Sequence, residues 1–226
     1  MELLLAAVGI LGGGGMLLWL AVRSQGGGEH HIPHPPRTAI AEVSEGHAAR
    51  IVGKVVPGGE MLVAPLSGRP CVHYVVVVDR VTVMDRTAWV LEDLGAWRAP
   101  PAERLIAEER GTPFVVADDT GRAVVDPAGA ITALHQDWHR LSEVDVLGPI
   151  EREFLARRGL SAHIWRPLSF REAIVEAGDR VSVQGVAVRE PDPGRDAGYR
   201  EPAWRLRLAA RFGTRLYLSD RADLVD

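Results

Sequence analysis

Two hydrophobic patterns divide the chain. Leu3 to Val22 form one uncharged run of twenty positions, while from Ile51 onward apolar and polar residues alternate and β-branched types dominate. Alternation with period two predicts strands. Arg50–Val56 is one, followed by a Pro57-Gly58-Gly59 turn and a short returning strand at Met61–Ala64. Cys71–Met84 is a long strand whose four consecutive valines predict burial on both faces. Glu103–Glu108 pairs next. Phe114–Ala117, Asp118-Asp119-Thr120-Gly121 and Arg122–Asp126 read as a hairpin, with Gly121 expected at positive φ. Arg180–Val188, Trp204–Arg211 and Arg215–Ser219 supply further strands, the first two joined by a Pro-Asp-Pro-Gly loop. Helix is scarce. Pro149–Arg158 has a proline at its start, acids in its first turn, arginines in its last and Gly159 as a stop. Ser169–Glu176 fits either two helical turns or an alternating strand. Short strands with turn signals and no internal repeat predict a mainly β fold, a small barrel or sandwich of the OB kind, with one or two short helices.

The apolar run predicts a different element. As a helix it spans about 30 Å, the thickness of a hydrocarbon core. Glycines 12–15 would weaken a helix in water by roughly 1 kcal/mol each, a cost tolerated in lipid, where the backbone has no other way to satisfy itself. Trp19 falls where an interfacial indole is expected. A cleaved signal peptide fits less well, because Glu2 replaces a basic start and no small-residue cleavage site precedes Arg23. Residues 1–23 are therefore expected to be a single-pass anchor that contacts the bilayer through residues 3–22. Gly9 and Gly13 form a GxxxG through which two anchors could pack as a homodimer. Arg23 and Arg37 follow the span, which orients the remainder toward the cytoplasmic side of an inner or plasma membrane. Residues 24–44 read as a glycine- and proline-rich tether, 45–221 as the β domain and 222–226 as a tail. His30, His31 and His34 in the tether are solvated histidines before they are a metal cluster.

Composition removes several classes. The 226 residues carry a net charge of −4, and Lys54 is the single lysine among 26 cations. An acidic balance argues against a general nucleic-acid binder, which must neutralise phosphates. Cys71, the only cysteine, excludes a disulfide framework and a RING finger. His135 and His139 lie at i and i+4, on one face if the stretch is helical, and with Asp119 they are the candidate metal ligands of a metal-assisted hydrolase. Gln136 stands where such enzymes place a glutamate base, which weakens that alternative. Asp118, Asp119 and Asp126 suit a hairpin turn better than a cation site. Ser67 lacks the surroundings of a nucleophile, and Cys71 reads as a small buried hydrophobe. No P-loop or dinucleotide fingerprint is present. Neither a cofactor nor a catalytic set is expected, so the chain reads as a non-enzyme.

Several segments stand together in a fixed order. They are Ala64-Pro65-Leu66-Ser67-Gly68-Arg69-Pro70-Cys71-Val72-His73-Tyr74, then Pro113-Phe114 through Asp118-Asp119-Thr120-Gly121, then Val125-Asp126-Pro127. Glu172 through Gly178-Asp179-Arg180 to Gly185 follows, and Leu218-Ser219-Asp220 closes the series. The series resembles the GIDE domain, the membrane-adjacent region of the mitochondrial membrane-anchored ubiquitin ligase MULAN and of prokaryotic membrane proteins. The resemblance covers about residues 45–221 and implies a β-rich domain held close to a bilayer, serving contact with a protein partner. Ligase activity in that family belongs to a carboxy-terminal RING. These residues contain none, so the resemblance does not carry that activity over, and the second span common in relatives is also missing. Pro65, Gly68, Pro70, Cys71, Tyr74, Phe114, Asp118, Gly121, Gly178, Asp179 and Gly185 are expected to determine the fold before they bind anything.

Overall fold

The computed structural model describes residues 35–81, 103–142, 146–160, 167–192, 204–210 and 213–225. The expected anchor, its Gly9/Gly13 pair and the tether histidines lie outside them. Among the described residues no helix is long and apolar enough to cross a membrane.

Five strands close into a barrel. They are β1 (Ala48–Pro57), β6 (Phe114–Ala117), β7 (Arg122–Val125), β11 (Arg180–Pro191) and β12 (Trp204–Ala209). Numbered one to five in chain order, they run 1-2-3-5-4 around the barrel and back to 1. Four of the five pairings are antiparallel, and the third and fifth strands pair in parallel, Leu206 beside Ala123. Two strands extend β11 outward, β13 (Tyr217–Ser219) and then β8 (Ile131–Ala133). Strand alternation turns Ile51, Val55, Phe114, Val116, Val125, Val181, Val183 and Leu208 into the barrel core.

Strand β1 changes partner at Lys54, which pairs with Arg180 of β11 and Ala117 of β6, and Gly53 comes just before that corner. A Cβ at Gly53 would collide with the Ala117 carbonyl, so only glycine lets the two backbones approach at this corner.

The second layer is inserted within the barrel sequence. Its four antiparallel strands are ordered β5 (Glu103–Gly111), β4 (His73–Arg80), β10 (Leu168–Val175) and β9 (Trp138–Ser142). Helix α1 (Pro149–Ala156) covers it, and Tyr74, Val76, Val78, Phe154, Leu155, Phe170 and Ile174 form a second core. A two-stranded piece, β2 (Leu62–Val63) with β3 (Pro70–Cys71), borders this layer. The layers join at Val72, whose amide donates to the Val175 carbonyl at 2.8 Å and whose side chain belongs to the barrel core.

Mainly β architecture with a small barrel and two short helices agrees with the sequence reading. Several details differ. The 169–176 ambiguity resolves as strand β10, because each residue from Leu168 to Val175 finds a partner on β4. The segment at Met61–Ala64 does not return to β1; Leu62 and Val63 pair with Cys71 and Pro70. The valine run is buried on one face only, with Val76 and Val78 inside and Val75 and Val77 half-buried. Gly121 is not at positive φ. A Cβ there would sit 3.1 Å from Ile40 Cγ2, so close approach explains this glycine.

The boundaries also shift. Ile40 and Val43, assigned to the tether, are buried in the barrel core, and Ile40–Glu42 form a 3-10 turn. Residues 222–225, read as a tail, form a short helix, α2 (Ala222–Val225), with Leu224 and Val225 buried. The reason is long-range: the backbone oxygens of Leu224 and Val225 accept from Arg50 and Arg180 at 2.6 and 2.8 Å.

Candidate functional site

The first motif segment folds into a tight turn between β2 and β3. Gly68 takes φ +71°, its amide donates to the Ala64 carbonyl at 2.9 Å, and the Ala64 amide donates to the Arg69 carbonyl at 2.9 Å. The turn leaves two successive amides, Leu66 and Ser67, pointing the same way. Both donate to the Glu172 carboxylate of β10, at 2.8 and 2.9 Å, and Glu172 is 1% exposed. Paired amides aimed at one point suit an anion, and here the chain provides its own. The first and third motif segments thus meet through this carboxylate.

Helix α1 forms the facing wall. Pro149 starts it after Gly148, and Gly159 at φ +71° follows its end. Phe154 and Leu155 face the core, as does Glu151, which accepts from Arg140 at 2.7 Å. Ile150, Glu153 and Arg157 face away from the core. Between turn and helix lies an open groove of about 670 Å³. Tyr74, Glu108 and Arg158 line it as a connected set: the Tyr74 hydroxyl donates to Glu108 at 2.6 Å, and Arg158 Nε donates to the other Glu108 oxygen at 2.7 Å. The Arg158 guanidinium also rests 3.5 Å from the Phe154 ring centroid. Val63 and Ile150 stand at the groove 65% and 53% exposed.

The electrostatics suit recognition more than proton transfer. Burial works against ionisation of Glu108, but the Tyr74 and Arg158 hydrogen bonds and the nearby Arg110 outweigh it and hold the carboxyl below its ordinary range. Burial first, then the Glu108 carboxylate, pushes the Tyr74 phenol up, so it stays protonated. A carboxylate committed to two donors and a phenol that keeps its proton make a poor acid–base pair at neutral pH.

The histidine–aspartate candidates are placed separately. His135 follows β8 in a non-helical stretch, where its amide donates to Asp220 at 2.6 Å. His139 lies in strand β9, with Nε2 3.2 Å from Ser169 Oγ. The expected shared helical face is therefore not formed, because Trp138–Ser142 pairs with β10 instead. Burial and the neighbouring Arg171 lower the His139 pKa. Asp119 is exposed at the β6–β7 hairpin. Among the described residues no group of three or more His, Cys, Asp or Glu could hold a metal ion.

The motif residues occupy folding positions. Asp118 accepts from the amides of Thr120 and Gly121 at 2.8 and 2.9 Å and from Ile40 at 3.1 Å, stitching the 3-10 turn to the hairpin. Partial burial would raise its pKa, but these bonds and the Thr120 hydroxyl lower it. Phe114 fills the barrel core and Tyr74 the other one. Cys71 is fully buried, and burial, then Glu172 and Glu176, push its thiol up to about 11. Gly178 takes φ +94° in the turn from β10 to β11, where Asp179 accepts from the Glu176 amide at 2.7 Å. Pro65 lines the groove, Pro70 pairs with Val63, and Gly185 leaves room for Leu216. Sequence reasoning assigned no role to Glu172, Glu108 or Arg158. A signal existed for Glu172: it shares the buried phase of β10 with Phe170 and Ile174, and a carboxylate on an apolar phase requires partners.

The chain matches no protein-family model, no curated protein and no solved structure.

Proposed function

We propose that this protein is a membrane-anchored, non-catalytic interaction module of the GIDE kind, built on an OB-like barrel. Residues 3–22 hold it at the bilayer, and the inserted layer presents the groove between the Ala64–Gly68 turn and α1 to a protein partner. The OB assignment draws support from the 1-2-3-5-4 strand order and its single parallel pair. The interaction reading is carried by one observation: two large apolar side chains, Val63 and Ile150, stand exposed at an open groove rimmed by Arg110 and Arg157. Apolar anchors beside arginines are a common composition for protein contact surfaces. The acidic and phenolic groups in the groove are occupied in holding it together, which favours binding over turnover.

The test is site-specific photocrosslinking in native membranes, with the photoreactive residue at Ile150 or at Leu141, an exposed position on β9. An adduct of one defined mass from position 150, absent from 141 and lost in the Val63→Glu variant, is the expected result. Equal or absent adducts from both positions would refute the groove as the contact surface.

A further inference from the structure

A second surface stands where the chain enters the barrel. The Thr38 amide donates to the Arg50 carbonyl at 2.8 Å, and Arg37 lies alongside Arg50 as a parallel bridge. Arg50 reaches three ways on the outer face of β1: to the Pro35 carbonyl at 3.2 Å, the Ser182 hydroxyl at 3.1 Å and the Leu224 carbonyl at 2.6 Å. Four residues further along the same outward face is Lys54, directly opposite Arg180 on β11. Arg180 in turn donates to the Val225 carbonyl. Ile51, Val55, Val181 and Val183 belong to the barrel core, so these cations lie on the other side of the sheet, where they surround a covered centre: Val52 and Ser182 between them are only 0% and 6% exposed.

Arg37, Arg50, Lys54 and Arg180 form no ion pair among the described residues. Other arginines are matched with carboxylates, as at Arg158 with Glu108 and Arg207 with Asp126 and Glu190, while Arg122, Arg152, Arg189 and Arg215 stand singly at other places on the described surface. Like charges directly opposite on neighbouring strands are unfavourable on their own. Arg50 and Arg180 give hydrogen bonds to neutral oxygens and keep their charge, so four cations without a carboxylate partner among the described residues give this face a positive potential that suits an anion.

The length of chain before Pro35 selects which anion. Twelve residues, 23–34, separate the end of the uncharged run from the first described residue. Fully extended they reach only about 40 Å. We infer that the Arg37–Arg50–Lys54–Arg180 face docks on the anionic headgroups of the bilayer in which residues 3–22 are anchored. This inference rests on the anchor reading above. Juxtamembrane cations gain roughly 1 kcal/mol each at such a surface, which corresponds to about fivefold in the docked population per charge.

The single lysine makes the test direct. The full chain is reconstituted into vesicles of phosphatidylcholine alone or mixed with phosphatidylglycerol, an anionic lipid with no amine to compete for the reagent. Membrane association is scored by flotation, and Lys54 acylation by a water-soluble amine reagent is followed by peptide mass. Docking predicts that Lys54 reacts at least about fivefold more slowly in the mixed vesicles. High salt, or the exposed-site variant Arg37→Gln, should restore much of that rate. Protein that floats with both vesicles, yet shows the same Lys54 reactivity in both and no salt response, overturns the docking face and leaves the anchor standing. Protein that fails to float overturns the anchor and the docking together.

Discussion

Replacing Glu172 by glutamine isolates the contact that joins two distant parts of the motif. The carboxylate is almost fully buried and receives the Leu66 and Ser67 amides at 2.8 and 2.9 Å. Hydrogen bonds to a charged group contribute about 1.5–3 kcal/mol each, and a buried amide left without a partner costs about 1–3 kcal/mol. Glutamine keeps one acceptor oxygen but presents an NH2 group to the other amide, so one bond is lost and the second becomes neutral. Removing the burial cost of the carboxylate returns part of this. The net expectation for Glu172→Gln is about 2–4 kcal/mol of destabilisation. For a folded unit of this size that corresponds to a fall in Tm of about 5–15 °C. Denaturant unfolding of the full chain in detergent should show a lower midpoint at unchanged slope. Hydrogen exchange at Leu66 and Ser67 should accelerate more than at the barrel strands. A variant within about 0.5 kcal/mol of the parent, with both amides equally protected, would refute the account.

Two further expectations concern other points of the fold. Gly53→Ala places a Cβ against the Ala117 backbone carbonyl, whereas Gly185→Ala meets the side-chain end of the buried Leu216 at 2.6 Å, with backbone no nearer than Ala209 O at 3.6 Å. Gly53→Ala should therefore destabilise by about 2–4 kcal/mol and Gly185→Ala by about half that or less, both read from denaturant midpoints; the reverse ranking would contradict the packing. Asp118 has a folded pKa below its unfolded value, so its stabilisation is complete above the ordinary carboxylate range and is lost as pH falls through the folded value. Asp118→Asn should cost about 1–2 kcal/mol at neutral pH, and the gap between variant and parent should narrow toward about pH 3. A gap constant across that range would mean that the charge contributes nothing.

Local patterns in the chain were sufficient for some of its elements. The alternation of Phe114–Ala117 and Arg122–Val125 around an Asp-Asp-Thr-Gly turn specifies a hairpin, because turn chemistry and period two both act within a dozen residues. Pro149 and Gly159 bracket α1 for the same kind of reason: each sets a φ angle at its own position. Which segments meet is a different matter. Period two is the same whichever neighbour a strand finds, so closure of the barrel through parallel β7 and β12, and the pairing of Leu62–Val63 with Pro70–Cys71 instead of β1, were decided by the packing of the whole molecule. The histidine spacing carried weight only if the stretch were helical, where i and i+4 share a face, and pairing with β10 makes Trp138–Ser142 a strand. Glu172 lies 106 residues from Leu66, and no periodicity links a buried carboxylate to a turn that far away. The chain alone settled the β6–β7 hairpin and the ends of α1, because backbone angles and side-chain phase are local quantities, whereas β8, β9 and the strand at Leu168–Val175 needed their partners. The tertiary structure alone settled who pairs with whom, and therefore built the groove and the cationic face, because those are made of side chains that only long-range contacts bring together.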